Sequence, residues 1–502
     1  MGQAQTLQLG PMANQIGDKS MSYLDPTIMD YHFQIGTATA KCGDATLGAK
    51  YGLAAEEAAR ACQLDTGDTA WLLTSCALVL MMTIPGLALY YSGLVRSKNV
   101  ITMAMQTLTI TCLITFLWFA FGYSLSLAPA NPYRSSSNPI YGDGSRLWLR
   151  GLNLLSTHAN APTIPESVYC LYQLTFAIIT AALISGSFAD RMKYWPMVVF
   201  MTLWHLAVYC PIAHAMWHPD GFLYQAGVLD FAGGNVVHIA SGWSGLAAVA
   251  VVGNRRGFGQ PEEKNKFAPS NLLTTLTGFC LLWVGWLGFN GGSAVSAGAQ
   301  AGAAALNTQI ATAVGGLTWM LTEVIMDPEH KPKLVGMISG AVAGLVSVTP
   351  GAGFIDQNGA FWAGFFGGLL CFFGARIKHY IGYDDALDAF GVHAVGGMVG
   401  GVLVGFFGNS QVGGAGPLGS KDGVYFSNMT HGGRQLGVQL YGIGVSIGWS
   451  VFMSTLLLLA VDYTMGLRVS MEDEDMGLDA SIHGEENTPN PTKDTQLEMV
   501  TA

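Results

Sequence analysis

Two segments decide the fold of this chain: residues 230–238, with the sequence DFAGGNVVH, and residues 388–393, with the sequence DAFGVH. Each segment begins with an aspartate, ends with a histidine and leads into a long uncharged stretch. An ionisable side chain at membrane depth is costly and is usually functional. The matching histidines, His238 and His393, therefore predict one pathway built from two halves of the chain.

The composition around these segments is typical of a membrane protein. Of the 502 residues, 50% are hydrophobic and only 11% are charged, whereas soluble domains have about 25% charged residues. Apolar runs long enough to cross a bilayer recur from Trp71 to Tyr463. The 65 glycines favour close packing of membrane helices. Without a basic patch outside short loops, nucleic acid is not an expected partner.

We predict an all-α polytopic membrane protein with eleven transmembrane helices. The predicted spans cover residues 71–93, 99–127, 166–188, 196–216, 232–253, 270–292, 298–326, 334–350, 359–378, 386–407 and 434–464. The first ten spans are expected to form two inverted five-helix repeats, because each repeat contains an odd number of spans. His238 and His393 fall in the fifth and tenth spans, and the eleventh is an extra C-terminal helix.

The distribution of lysine and arginine predicts the orientation in the bilayer. Alternate connections are rich in these residues, which assigns them to the cytoplasm; they contain Arg96, Lys98, Arg191, Lys193, Arg255, Arg256, Lys264, Lys266, Lys331, Lys333, Arg376 and Lys378. We therefore expect an extracellular N-terminal segment (1–68), a membrane domain (69–465, N-terminus outside) and a cytoplasmic C-terminal tail (466–502). The expected location is the plasma membrane.

The two histidines are candidates for the wall of a pore. A neutral imidazole has one donor and one acceptor nitrogen, so two adjacent rings can share a proton in an apolar channel. The alternative is a packed histidine that donates to a backbone carbonyl. Matching positions in the two repeats favour the pore for His238 and His393, while the packed role suits His205 and His214 in the fourth span.

Asp230 and Asp388 stand just before the two histidine spans. Either carboxylate could attract a cation, or it could accept backbone N–H bonds at the start of a helix. The position before a helix favours the structural role for both. That role remains compatible with a field effect on a cation nearby.

A third set of candidates is aromatic or hydroxylic. Trp217, at the end of the fourth span, is either a membrane-interface residue or a holder of a small cation through a cation–π attraction of about 0.5–2 kcal/mol. Phe176 and Phe289, taken alone, are packing residues. Ser293 offers a hydroxyl just beyond the sixth span.

Motifs for other functions are missing from the sequence. Neither a nucleophile–base pair, a phosphate loop, a dinucleotide fingerprint nor a metal-ligand cluster emerges, so an enzyme, a cofactor and a metal are not expected. Cys42 and Cys62 lie in the polar N-terminal segment, where a disulfide stays an open alternative. Asn428 begins a glycosylation sequon on a predicted outer loop, which matters only in a eukaryotic host.

At the level of motifs the chain resembles the ammonium transporter (Amt/Mep/Rh) family, Amt/Mep branch. The resemblance covers about residues 68–487 and rests on Met82 through Tyr91 with Lys98-Asn99, Asp230 through His238, Gly285 through Asn290, Asp388 through His393, and the tail segments 466–468, 477–479 and 483–485. It implies a homotrimer in the lipid bilayer with one pore per subunit. The implied substrate is ammonium or ammonia, and the acceptance of methylammonium stays open.

The resemblance also implies roles for individual residues. Matched by position, the implied sites are an outer ammonium site at Trp217, Ser293 and Phe176, supported by Asp230; a gate of Phe176 and Phe289; and a pore lined by Trp286, His238 and His393. Tyr172, one turn before Phe176, replaces a phenylalanine of some relatives, and we expect it to change the polarity of the mouth slightly. Ser481 stands where plant relatives have a phosphorylatable threonine; it is either a regulatory site or an ordinary tail serine.

Together these features predict net uptake of ammonium: recruitment at the outer site, deprotonation at the gate, and passage of ammonia along the twin histidines. One alternative is an electroneutral Rhesus-type ammonia channel, which Trp217 and Ser293 disfavour. The other is an ammonium sensor with the same fold, although the tail is too short for a fused kinase domain. A cytoplasmic regulator of the tail is a further expected partner of unknown identity.

Overall fold

The computed structural model describes residues 63–128, 138–153, 156–413, 423 and 429–486, with the side chains of residues 263–265 and 429–432 left aside. The expectations for residues 1–62, including a Cys42–Cys62 disulfide, lie outside the described residues. The same holds for the glycosylation sequon at Asn428 and for the last part of the tail.

Within the described residues, eleven helices are long and apolar enough to cross a membrane. We number them span 1 to span 11: Thr66–Leu94, Ser97–Leu127, Glu166–Ser185, Tyr194–Ala226, Gly234–Val252, Leu272–Gly292, Ala299–Met326, Leu334–Gly351, Gln357–Ile381, Phe390–Phe407 and Gly433–Met465. Apolar runs of this length become helices because a hydrocarbon medium offers no partner for backbone N–H and C=O groups. The predicted all-α, eleven-span fold is confirmed.

Shorter elements connect the spans or follow the last one. They are the 3₁₀ turns Leu147–Leu149 and Pro261–Phe267, the antiparallel strands β1 (Thr157–His158) and β2 (Ala161–Pro165), the helix Ser410–Gly413, the tail helix Met471–Met476 and the tail turn Asp479–His483. The strands pair with Thr157 opposite Pro165 and His158 opposite Ala161. This hairpin lies directly before span 3.

The two five-span repeats meet at spans 5 and 10. Each of these spans begins with a π-helical turn that contains its histidine, Gly234–Ile239 and Phe390–Ala394. The two spans approach so closely that a Cβ on Gly242 would lie 2.4 Å from the backbone nitrogen of Ala394. A Cβ on Gly397 would likewise lie 2.9 Å from the carbonyl oxygen of Gly234. Span 11 packs outside the repeats, against spans 4, 5 and 10.

The described part of the tail folds back onto one end of the bundle. The Asp479 carboxylate accepts the backbone N–H groups of Ile101 (3.1 Å) and Thr102 (2.7 Å), near the beginning of span 2. The N–H of Leu478 donates to Asn99 Oδ1 at 2.7 Å. Negative charge at a helix N-terminus is stabilising, so Asp479 anchors the tail to span 2.

Buried ion pairs join the connections at the same end. Arg255 Nε and Nη2 both donate to the Asp384 carboxylate at 2.8 Å, and Arg255 Nη1 lies 3.1 Å from Asp190 Oδ2. Arg96 Nε reaches Asp190 at 2.9 Å. Burial opposes ionisation of Asp384, but the hydrogen bonds and charge of Arg255 outweigh it and lower the pKa of Asp384 to about 2. This network fixes the connections after spans 1, 3, 5 and 9.

Candidate functional site

A cavity of about 440 Å³ opens at the end of the bundle opposite the tail. We call this cavity the vestibule. Its wall contains Trp217 from span 4, Phe176 and Tyr172 from span 3, Ser293 just after span 6, and Asp230 just before span 5. The structure therefore brings together the side chains that the resemblance assigns to an outer ammonium site.

The floor of the vestibule is aromatic. The rings of Phe176 and Phe289 stack with their centroids 4.3 Å apart and an interplanar angle of 18°. The ring of Trp217 is perpendicular to that of Phe176, and their centroids lie 5.7 Å apart. Phe176 and Phe289 are 1% and 0% exposed, so the stack closes the vestibule from below.

A hydroxyl pair lies beside this floor. Ser293 Oγ donates to the carbonyl oxygen of Phe289 at 2.9 Å, and this leaves its lone pairs free to accept. The Tyr172 hydroxyl lies 2.7 Å from the same carbonyl oxygen and 3.3 Å from Ser293 Oγ. Tyr172 therefore ties span 3 to the end of span 6, which is more than the slight change of polarity expected from the sequence.

Asp230 has the structural role that its position before a helix predicts. Its carboxylate accepts the backbone N–H groups of Gly233, Gly234, Asn235 and Val236 at 2.5–3.2 Å. Burial raises the pKa of Asp230 to about 6, and the four N–H bonds limit this rise. The carbonyl oxygen of Asp230 also accepts the indole N–H of Trp217 at 2.9 Å. Asp230 thus fixes both the start of span 5 and the position of Trp217.

Below the phenylalanine pair the two histidines come together. His238 Nδ1 lies 3.2 Å from His393 Nδ1, and the rings are nearly parallel at 5.3 Å. The indole of Trp286 is nearly parallel to the ring of His238, with the centroids 5.5 Å apart and an interplanar angle of 17°. Phe289 is next, 6.3 Å from His238. A continuous row of rings therefore leads from the vestibule to His393.

The space beside these rings is very small and apolar. Its volume is about 10 Å³, which is near the minimum for a single water molecule. We call this space the lumen; the side chains that line it are those of Met82, Leu87, Tyr90, Ile179, Leu183, Val237, His238, Leu282, Trp286, Phe289, Val342 and His393. His238 Nε2 has no hydrogen-bond partner among the described residues. This nitrogen is available to a small polar guest.

The geometry also restricts the protonation of the histidine pair. Two neutral imidazoles that meet through Nδ1 can form a hydrogen bond only if one nitrogen has the proton and the other accepts it. The accepting ring must then have its own proton on Nε2. Transfer of the shared proton alone would leave one ring as an imidazolate and the other as an imidazolium, so His238 and His393 exchange roles only if a second proton moves from one Nε2 to the other.

The expectation for Asp388 at a helix start is wrong. Its carboxylate pairs instead with Lys378 Nζ at 2.6 Å, and its φ of 58° places it in the left-handed region. The backbone N–H of Phe390, at the start of span 10, donates to Asp385 Oδ2 at 2.8 Å. The two aspartates lie three residues apart before the same helix, and only the backbone path decides which one reaches it.

The histidines of span 4 differ from one another. His214 behaves as predicted, since its ring nitrogens lie 2.9 and 2.8 Å from the carbonyl oxygens of Ser126 and Asn138. His205 is fully buried as well, but its Nε2 faces Cys210 Sγ at 3.8 Å instead of a carbonyl. Neither ring lines the vestibule or the lumen.

Ser481 lies in the tail turn Asp479–His483. Its N–H donates to the carbonyl oxygen of Gly477 at 3.0 Å, and its hydroxyl has no partner among the described residues. Ser481 is thus close to Asp479, the residue that anchors the tail to span 2.

Within the described part of the chain, no group of three or more potential ligands could hold a metal ion. An eleven-span helical bundle with an aromatic-floored vestibule and a narrow internal lumen is the architecture of a membrane transport protein. Residues 70–488 match the Ammonium Transporter Family, and the chain belongs to this family. The resemblance seen in the motifs is confirmed, and so is the expectation that the chain is not an enzyme, since its relatives are transporters.

Individual relatives agree with this assignment. The chain is 38% identical over 423 residues to the ammonium transporter of Bacillus subtilis (strain 168), which covers 84% of this chain and 98% of that protein. The crystal structure of Saccharomyces cerevisiae Mep2 superposes with a TM-score of 0.73 at 33% identity, over 82% of this chain and 89% of that one. A structure described as a sensor Amt protein matches with a TM-score of 0.73 at 26% identity, over 83% and 98% of the chains.

Proposed function

We propose that this protein takes up ammonium by binding the cation in the vestibule and conducting ammonia through the lumen. The observation that most strongly supports this function is the row of rings from Trp217 to His393, with the phenylalanine stack between a polar vestibule and an apolar lumen. Membership in the Ammonium Transporter Family supports the substrate. Methylammonium is a useful probe of the same path.

Ammonium is first held at Trp217, Phe176 and Ser293. The face of an aromatic ring attracts a cation by about 0.5–2 kcal/mol. The Ser293 hydroxyl gives its proton to Phe289 and can accept an N–H of ammonium. Asp230 supports this site from behind, because its carboxylate is occupied by backbone N–H groups and its carbonyl oxygen holds Trp217. The negative charge of Asp230 still favours a cation nearby.

The lumen separates ammonium from potassium by a difference in their acid–base chemistry. Charge and size are similar for the two ions, but ammonium can lose a proton and potassium cannot. An ion in an apolar medium without partners suffers a Born penalty of order tens of kcal/mol. A lumen of about 10 Å³ has no room for a hydration shell. Deprotonation at the Phe176–Phe289 gate therefore lets ammonia pass and leaves potassium behind.

The twin histidines give this lumen a polar edge. His238 Nε2 is free to hydrogen-bond ammonia, and it accepts or donates according to which of the two rings holds the proton shared between the Nδ1 atoms. The proton released at the gate is proposed to cross separately, by a route of histidines and water, and to rejoin ammonia on the other side. Net transport is then that of ammonium. Trp286, whose ring is stacked against His238, adds apolar surface to the lumen.

The proposed arrangement in the cell is a plasma-membrane homotrimer with the vestibule outside and the tail in the cytoplasm. The concentration of lysines and arginines in the connections at the tail end supports this orientation. Ser481 is proposed as a regulatory site, since a phosphate there would stand next to the tail anchor. A cytoplasmic regulator would act through the same docked tail.

Two other functions deserve separate tests. Similarity to the sensor Amt protein favours an ammonium sensor as the second candidate. An electroneutral Rhesus-type channel is disfavoured by the cation site at Trp217 and Ser293. Expression in a cell deficient in ammonium uptake, followed by growth on low ammonium, separates a transporter from a sensor with little flux. An inward current on addition of ammonium then separates ammonium transport from electroneutral passage of ammonia.

A further inference from the structure

A cluster of buried polar side chains lies behind the lumen wall. The indole N–H of Trp286 donates to Thr349 Oγ1 at 2.9 Å. Thr349 Oγ1 also lies 3.3 Å from Asn290 Oδ1, and Asn290 Nδ2 donates to Thr308 Oγ1 at 2.9 Å. These four residues come from spans 6, 7 and 8 and are at most 2% exposed.

The acceptor of the Trp286 indole N–H follows from the protons available on Thr349. A threonine hydroxyl has one proton to donate, and that of Thr349 has its shorter contact with the carbonyl oxygen of Leu345, at 2.8 Å. Its lone pairs then accept from Trp286. An indole N–H donates only, so it needs an acceptor wherever it is buried. Thr349 is the acceptor that the structure gives to Trp286.

The orientation of Trp286 sets the shape of the lumen. Its ring is parallel to His238 at 5.5 Å, and it meets Phe289 edge-on at 5.5 Å. Trp286 thus touches both the gate and the histidine pair. Because the lumen has a volume of only about 10 Å³, a small rotation of this large ring changes the available space by a large fraction.

We propose that Thr349 is a positioning residue for conduction: it fixes the indole of Trp286 against His238 and so keeps the lumen too narrow for a hydrated ion. The inference rests on the proposed conduction path through the lumen, and it adds a determinant of ammonium/potassium selectivity that does not itself line that path.

The test is the substitution Thr349→Val, which keeps the size of the side chain and removes the acceptor. The expected result is an ammonium/potassium current ratio lowered about fivefold or more, the factor that corresponds to about 1 kcal/mol for an unpaired indole N–H. Thr349→Ser keeps a hydroxyl and should restore the wild-type ratio. The matched control is Thr312→Val in span 7, since Thr312 is equally buried and its hydroxyl bonds to the carbonyl oxygen of Thr308 in its own helix.

Each outcome decides between structural and positioning roles. Currents are compared at equal amounts of protein at the cell surface. A wild-type ratio in Thr349→Val, a loss of current with an unchanged ratio, or an equal change in Thr312→Val would overturn the role of Thr349. Absence of an ammonium current from the wild-type protein would instead overturn the proposed function.

A second pair of variants keeps the test available if Thr349→Val does not fold. Trp286→Phe removes the indole N–H and therefore the donor that Thr349 must satisfy. The double variant Trp286→Phe/Thr349→Val should then have the same ammonium/potassium ratio as Trp286→Phe alone. A further change of the ratio in the double variant would contradict the proposal.

Discussion

His238 and His393 are 155 residues apart in sequence, yet their Nδ1 atoms lie 3.2 Å apart. Each histidine occupies the first, π-helical turn of its span, and the two spans belong to different repeats. The inverted repeats thus build one buried histidine pair from two distant segments. This pairing is the relationship on which the proposed conduction of ammonia depends.

Loss of the Tyr172 hydroxyl should weaken the outer site. Tyr172→Phe removes the hydrogen bond to the Phe289 carbonyl and the contact with Ser293. We expect the concentration of half-maximal ammonium transport to rise by about two- to tenfold, in line with about 0.5–1.5 kcal/mol for one hydrogen bond, with little change in the maximal rate. Concentration series of ammonium currents measure both quantities.

Tyr224→Phe is the control for this prediction. Tyr224 lines the same vestibule, and no described hydrogen bond joins its hydroxyl to Phe289 or Ser293. Its removal should leave the half-maximal concentration near the wild-type value. Equal effects of the two substitutions would argue against a specific role for Tyr172.

Substitution of Asp230 should act mainly through stability. Asp230→Asn replaces one acceptor oxygen by an amide that donates, which leaves backbone N–H groups at the start of span 5 unpaired. Hydrogen bonds to charged groups contribute about 1.5–3 kcal/mol each, so the melting temperature of the purified protein should fall clearly. The comparison is Asp356→Asn, which affects a single bond, to Gly359 N at the start of span 9. Similar melting temperatures for the two variants would refute the supporting role.

The buried ion pairs at the tail end predict an effect of acid. The pKa of Asp384 in the folded protein is about 2, below its ordinary value of 3.8. A carboxyl group whose pKa is lower in the folded than in the unfolded protein stabilises the fold at pH values above its ordinary pKa. For Asp384 this contribution of about 2 kcal/mol is lost as the pH falls from about 4 to 2. Asp384→Asn should therefore be less stable at neutral pH and show a weaker loss of stability in acid. Thermal unfolding at several pH values tests this, and identical pH profiles would contradict it.

A charge at Ser481 should disturb the docked tail. The Asp479 carboxylate accepts backbone N–H groups of span 2. A negative charge at Ser481, two residues away, would repel this carboxylate or compete for the same N–H groups. We expect Ser481→Asp to reduce ammonium transport at an unchanged surface amount. Ser481→Ala and the uncharged, similarly sized Ser481→Asn should transport normally. Full transport by Ser481→Asp would count against a regulatory role.

Much of the fold could be predicted from the sequence because the bilayer simplifies the rules. An apolar run of sufficient length must be helical, and the predicted and observed spans differ by a few residues at most of their ends. The fourth span ends later than predicted, at Ala226, because a short helix, Phe222–Ala226, follows the vestibule residue Trp217. The close approach of spans 5 and 10 at Gly242 was not predictable from composition alone.

The site was predictable to the extent that single residues mark it. His238 and His393 are conspicuous because ionisable groups at membrane depth are rare. Thr349 is different: its hydroxyl donates to the backbone of its own helix, as is common for a buried threonine, and only the structure shows that it also accepts the indole N–H of Trp286. The choice between Asp385 and Asp388 also depends on the three-dimensional path of the chain.

The most direct test of the central claim is a voltage-clamp comparison of ammonium and potassium currents in the wild-type protein and in His238→Ala and His393→Ala. We predict that the wild-type protein has ammonium currents far larger than its potassium currents. Each substitution should either impair ammonium transport or admit potassium, because it removes one partner of the shared proton and widens an apolar lumen. Unchanged ammonium currents with an unchanged ammonium/potassium ratio in both variants would contradict it.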